Sequence, residues 1–195
     1  MAPASKHRET ILSAAAKLFR RHGYSGTGLA EILAESGAPK GSLYHHFPGG
    51  KAEIGAASVG FASRQVTLTL QTLAAKSSSP STLMRAYAGL LAGWMEQSGW
   101  QAGCPIATVL LETATQDRAI SDAGREAFTE WAAVLTLSMR EAGISEKRAF
   151  ELGRFAIGAI EGALILSRVG QSGAAILAAG EELAALIERE SMEAQ

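Results

Sequence analysis

Residues 27–47 read TGLAEILAESGAPKGSLYHHF, and this stretch decides the fold. Leu29, Ile32 and Leu33 recur at helical spacing behind Thr27, a residue type that caps helix starts. Gly37 closes that short helix, and Pro39 stands where another would open. Ile32, Leu33, Ala38, Leu43 and Phe47 supply a shared apolar seam, which leaves Lys40, Ser42, Tyr44 and His45 to face outward. Two short helices joined by a tight glycine turn make a helix-turn-helix, in which the second helix enters a major groove while the first braces it. The plain alternative is a pair of core helices with a basic solvated face. The coincidence of charge sign, turn glycine and helix length favours the DNA-binding arrangement.

The charge distribution points the same way. The chain of 195 residues has a formal net charge of -1, yet residues 1–51 hold seven Lys and Arg against three Asp and Glu, and all four histidines. The remainder is correspondingly acidic, so only the head suits a polyanion. Upstream of the motif, Ile11, Leu12, Ala15, Leu18 and Phe19 mark a helix that ends on Arg20, Arg21 and His22 before Gly23. Downstream, Pro48-Gly49-Gly50 breaks the chain. Helical patterns follow at about 54–75, 83–94, 105–115, 121–142, 146–168 and 173–190, with a loop at Lys76–Pro80. Strand alternation is absent, so the expectation is an all-α protein of about nine helices, with a DNA-binding domain at 1–50 and a helical domain at 51–195.

Composition excludes several classes. A single cysteine, Cys104, cannot form an intrachain disulfide, and no apolar run approaches the ~20 residues that cross a bilayer. A cytoplasmic protein without membrane contact is expected. An enzyme is disfavoured, because no Cys/His ligand spacing, phosphate-binding glycine loop or Gly-x-Ser-x-Gly elbow occurs. No cofactor or metal is expected, since His45 and His46 point about 100° apart on a helix. A lone cysteine beside Pro105, at a helix start, has either a small-hydrophobe role or a redox one, and the buried hydrophobe is the commoner.

The combination of Gly23-Tyr24, Thr27, Ile32, Gly37 and Lys40-Gly41-Ser42-Leu43-Tyr44-His45-His46-Phe47, followed by Lys51, resembles the TetR family of bacterial repressors. The resemblance implies a three-helix head, a ligand-binding helical body and a homodimer built largely from the last two helices. It places Thr27, Tyr44, His45 and Lys51 near phosphates, and Pro39, Lys40, Gly41 and Ser42 at the end of the recognition helix nearest the bases. Leu33 stands where the family usually has a small alanine, Ala30 replaces a frequent polar residue, and the Pro48–Lys51 spacer is one residue longer than common. That Pro-Gly-Gly-Lys spacer and Gly103-Cys104-Pro105 together resemble the LmrA/YxaF-like subgroup.

The implied partners are double-stranded operator DNA, a small-molecule inducer and a second copy of the chain. Candidate pocket residues are Phe61, Tyr87, Trp94, Trp100, Cys104, Glu112, Phe128 and Trp131, each also readable as plain core. Glu112 sits in the apolar run VLLETA, where a carboxylate reaches solvent, pairs across a dimer or accepts from a ligand. Candidate dimer residues are Leu152, Phe155, Ala156, Ala159, Ala163 and Leu166, with Ile176, Ala179 and Leu183. The helix from Lys51 to about Ala75 links head to body and is the natural lever between them.

Overall fold

The computed structural model describes residues 3–193. Among these residues it contains nine α-helices and no strand: α1 (Pro3–His22), α2 (Leu29–Ser36), α3 (Lys40–His46), α4 (Gly50–Lys76), α5 (Pro80–Gln97), α6 (Ala107–Thr113), α7 (Arg118–Glu141), α8 (Glu146–Gly170) and α9 (Ala174–Glu193). No described helix is long and apolar enough to cross a membrane.

Helix limits follow from local chemistry. Gly23 ends α1 at φ 78, a left-handed conformation that costs glycine little, and its N–H donates to the Phe19 carbonyl at 2.9 Å. The expected loop at 76–80 stops one residue early, because Pro80 is the first residue of α5. Ser79 caps that helix: its hydroxyl accepts from the Thr82 N–H at 3.2 Å, while the Thr82 hydroxyl accepts from the Ser79 N–H at 3.0 Å.

The chain divides into two compact units. The first runs to Gln65 and also takes in Cys104–Ala127; the second comprises Val66–Gly103 and the chain from Phe128 onward. This differs from the cut expected after residue 50. The start of α4 and the whole of α6 pack with the head, since Ile54, Ile106, Val109 and Ile120 are fully or almost fully buried alongside Ile11, Leu12 and Phe19. Sequence periodicity identifies an apolar face but not the element it will meet.

In the second unit α9 packs along α5 and α8. Leu70, Leu83, Met84, Met95, Trp131, Leu135, Met139, Ile176, Leu183 and Ile187 are among its large buried side chains. Close approach depends on small residues: a Cβ added to Gly180 would overlap that of Ala88, and one added to Gly153 would lie 2.9 Å from the Ala132 carbonyl. At the rim Arg85 donates to Glu181 at 2.8 Å and to Glu188 at 2.7 Å, and Arg148 pairs with Glu190.

Candidate nucleic-acid interface

Helices α2 and α3 meet through Gly37, at φ 63, whose N–H donates to the Leu33 carbonyl at 3.1 Å. Pro39 follows in extended conformation, so α3 leaves the turn at once. Ile32, Leu43 and Phe47 are fully or almost fully buried, Ala38 is buried and Leu33 half-buried, so the apolar seam lies inside. Lys17 of α1 pairs with Glu35 of α2, and the Arg8 guanidinium stands 5.6 Å from the Phe47 ring centroid. The outward side carries Pro39, Lys40, Gly41 and His45, with Tyr44 49% exposed and Ser42 half-buried. Nothing lies within 4 Å of where a Gly41 side chain would begin, so the backbone there is open to approach.

Thr27 is a correction. It is 1% exposed, and its hydroxyl donates to the Gly23 carbonyl at 2.9 Å instead of facing solvent. The cap of α2 is Gly28, whose N–H donates to Glu31 at 2.6 Å. Thr27 therefore secures the α1–α2 turn from within, and a phosphate contact through its hydroxyl does not fit. Lys51, in the first turn of α4, holds its Nζ 4.4 Å over the ring centroid of Tyr24.

Tyr24 is a structural centre that its place in the motif announces without explaining. Its ring packs 5.3 Å from Phe19 and fills the space beside Gly55, where an added Cβ would come within 2.9 Å of the ring and 3.0 Å of Ile120. Burial, with Asp117 adding to it, pushes the phenol pKa upward. The Tyr24 and Ser25 N–H groups each donate to Glu112 of α6 at 2.8 Å. Hydrogen bonding from the Ser25 side chain first, then from these two amides, with Lys51 nearby, holds the Glu112 carboxyl below its ordinary range against the opposing effect of burial. Glu112 thus turns both oxygens to the α1–α2 turn, which is a different engagement from that expected of a pocket acceptor.

The other pocket candidates fall in both units. Phe61 is half-buried and Cys104 buried in the first. In the second, Tyr87 and Trp131 are buried, and Phe128 meets Trp131 edge-on at 5.4 Å. Trp94 is 37% exposed, and Trp100 is half-buried in a left-handed conformation at φ 64. Within this set Phe128 and Trp131 form a ring pair.

The dimer candidates divide by face. Leu152, Ala156, Ala163, Ile176 and Leu183 are buried within their own protomer, a correction to their expected place, because the 3.6-residue period puts them on the sides of α8 and α9 that pack inside the unit. Ala159 and Ala179 are half-buried. Phe155 and Leu166 are 57% and 65% exposed, and they share an open stripe of α8 with Gly158, Gly162, Ile165 and Val169. Glycines four apart between exposed apolar residues are the sequence signal for that stripe.

Two family models match the chain. Residues 11–57 match the bacterial regulatory proteins of the tetR family, and residues 80–182 match the C-terminal domain of LmrA/YxaF-like transcriptional regulators. The HTH-type transcriptional regulator LmrA of Bacillus subtilis is 35% identical over 170 residues, covering 87% of this chain and 90% of that protein. The uncharacterized HTH-type transcriptional regulator YxaF of the same organism is 32% identical over 182 residues, covering 93% and 95%. Among solved structures, a TetR-family regulator from Agrobacterium tumefaciens aligns with a TM-score of 0.78 at 23% identity over 96% of this chain and 98% of that one, and shares the fold. With the helix-turn-helix geometry above, these matches establish that the chain belongs to the TetR family of transcriptional regulators, in its LmrA/YxaF-like group.

Proposed function

We propose that this protein is a repressor that binds a palindromic operator as a homodimer in the cytoplasm and releases it when a small molecule occupies the helical body. The observation that carries the reading is the outward face of α3, with Lys40, Gly41 and Tyr44 exposed above a fully buried Leu43 and Phe47. Lys40 and Ser42 reach base edges at the front of the recognition helix, and the open backbone at Gly41 lets it lie deep in the groove. Tyr44, His45 and Lys51 hold phosphates and fix the register.

Two heads read two half-sites, and the open α8 stripe from Phe155 to Val169 is the surface on which a second copy supplies the twofold. Burying it removes Phe155, Ile165, Leu166 and Val169 from water, while Gly158 and Gly162 let the partner's helix come close. A ligand acts by favouring one head separation over another, and helix α4, whose residues start in the first unit and end in the second, is the element that carries the change. Coupling of ~1–3 kcal/mol is typical for such effects.

The test is salt-dependent binding to duplex DNA from the region upstream of the gene. Lys51→Ala is expected to weaken binding to all sequences and to reduce the slope of log affinity against log salt by about 0.9, one phosphate contact. Tyr44→Phe lowers affinity with the slope unchanged. Wild-type behaviour in both variants would refute the assigned interface.

A further inference from the structure

Outside the surface that faces DNA, one group makes an unusual connection. Glu112 lies on α6, 88 residues from Tyr24 in sequence, and both oxygens of its carboxylate are spent on backbone amides of a turn that no helix of its own satisfies. That turn runs from Gly23 to Gly28 and joins α1 to α2, the bracing helix of the motif. Three neighbours are shaped around the contact. A side chain at Gly23 would overlap Glu112 Oε1, Thr27 locks the turn from inside through the Gly23 carbonyl, and the Lys51 Nζ stands over the Tyr24 ring. A third bond ties α6 to α1 itself, since the Thr108 hydroxyl of α6 donates to the Phe19 carbonyl at 3.0 Å.

We propose that Glu112 is the positioning residue of the DNA-binding head: by gripping the Tyr24 and Ser25 amides it fixes the α1–α2 turn on α6 and so sets the direction in which α2 and α3 are presented. The inference rests on the operator-binding function proposed above. Glu112 touches no DNA; its effect passes through the turn. A charged acceptor is required, because both partners are donors and a glutamine would set its own NH2 group against one of them. Losing the grip leaves the head folded and still packed on α6 through Ile106, Val109 and the Thr108 bond, but it frees the α1–α2 turn and so loosens the presentation of α2 and α3. Binding by a single head survives that freedom, whereas simultaneous engagement of two half-sites suffers, because the second head then reaches its site at a lower effective concentration.

The experiment uses the full-length dimer, wild type against Glu112→Gln and Glu112→Asp. Amide hydrogen exchange at Tyr24 and Ser25 is read first, in the absence of DNA, and is expected to quicken about tenfold or more in the glutamine variant while protection in α1 and α5 is kept. Binding is then measured on an operator selected by the wild-type protein from a random duplex pool, and on the same duplex cut to one half-site. Glu112→Gln is expected to lose about tenfold or more on the full site and less than about twofold on the half-site. Glu112→Asp, one methylene short, is expected to behave like the glutamine variant. Unchanged exchange at Tyr24 and Ser25, or equal losses on full and half sites, overturns the proposal. A selection that returns no site overturns operator binding instead, while the exchange measurement still decides whether the grip exists.

Discussion

Replacing Gly153 with alanine sets two effects of opposite sign against each other at a single buried position of α8. Alanine in a helix interior is favoured over glycine by about 1 kcal/mol. Against that, the new Cβ would sit 2.8 Å from Thr136 Oγ1 and 2.9 Å from the Ala132 carbonyl oxygen. The carbonyl belongs to the α7 backbone and cannot turn aside, and Thr136 Oγ1 is tied to that same carbonyl at 2.8 Å. Helices α7 and α8 must therefore separate by several tenths of an ångström. Overpacking of this kind costs about 1–3 kcal/mol. The net expectation is a loss of up to about 2 kcal/mol, or a fall of up to about 8 °C in the thermal midpoint for a chain of this size.

Gly89→Ala is the matched control, because Gly89 is exposed on α5 with nothing within 4 Å of the added atom. It should gain about 1 kcal/mol from propensity alone. Thermal unfolding followed by circular dichroism at fixed protomer concentration measures both, since a dimer's midpoint moves with concentration. A Gly153→Ala protein that gains as much stability as Gly89→Ala would refute the close crossing of α7 and α8.

Other consequences can be tested on the head and the open stripe. Thr27→Val should cost about 1–2 kcal/mol by leaving the Gly23 carbonyl without its donor, while Thr27→Ser should cost less and both should keep the wild-type salt slope of DNA binding; a shallower slope would return Thr27 to the phosphates. Leucine at both Gly158 and Gly162 should leave the protomer helical but shift sedimentation toward monomer, and an unchanged dimer would move the interface elsewhere. The carboxyl of Glu112 is held below its ordinary range, so its contribution is complete above that range and disappears as pH falls through the lowered value. The stability difference between wild type and Glu112→Gln should accordingly be steady at neutral pH and shrink below about pH 4.3, the ordinary glutamate value. A difference that grows with acid would reverse the sign of the linkage.

Much of the molecule could be read without coordinates, for reasons that lie within a few residues of each feature. Gly37, Pro39 and the seam from Ile32 to Phe47 determine a helix-turn-helix because turn conformation, helix start and apolar period are local properties, and the positive charge of the head is additive along the chain. The succession of helices after Pro48 follows in the same way from period and breakers, with limits displaced by a few residues where a cap such as Ser79 decides them. What required the tertiary structure was the choice of partner for each face. Leu152 and Phe155 are both apolar and three residues apart on α8, yet one is buried in its own protomer and the other open, since only the arrangement of α5, α7 and α9 settles which side is filled. Thr27 and Glu112 show the same division most sharply: a hydroxyl and a carboxylate declare what they can bond to, but their actual partners, the Gly23 carbonyl and the Tyr24 and Ser25 amides, are set by how α1 lies against α6. A side chain's chemistry is written in its own position, whereas the identity of the atom opposite it depends on the folding of residues far away along the chain.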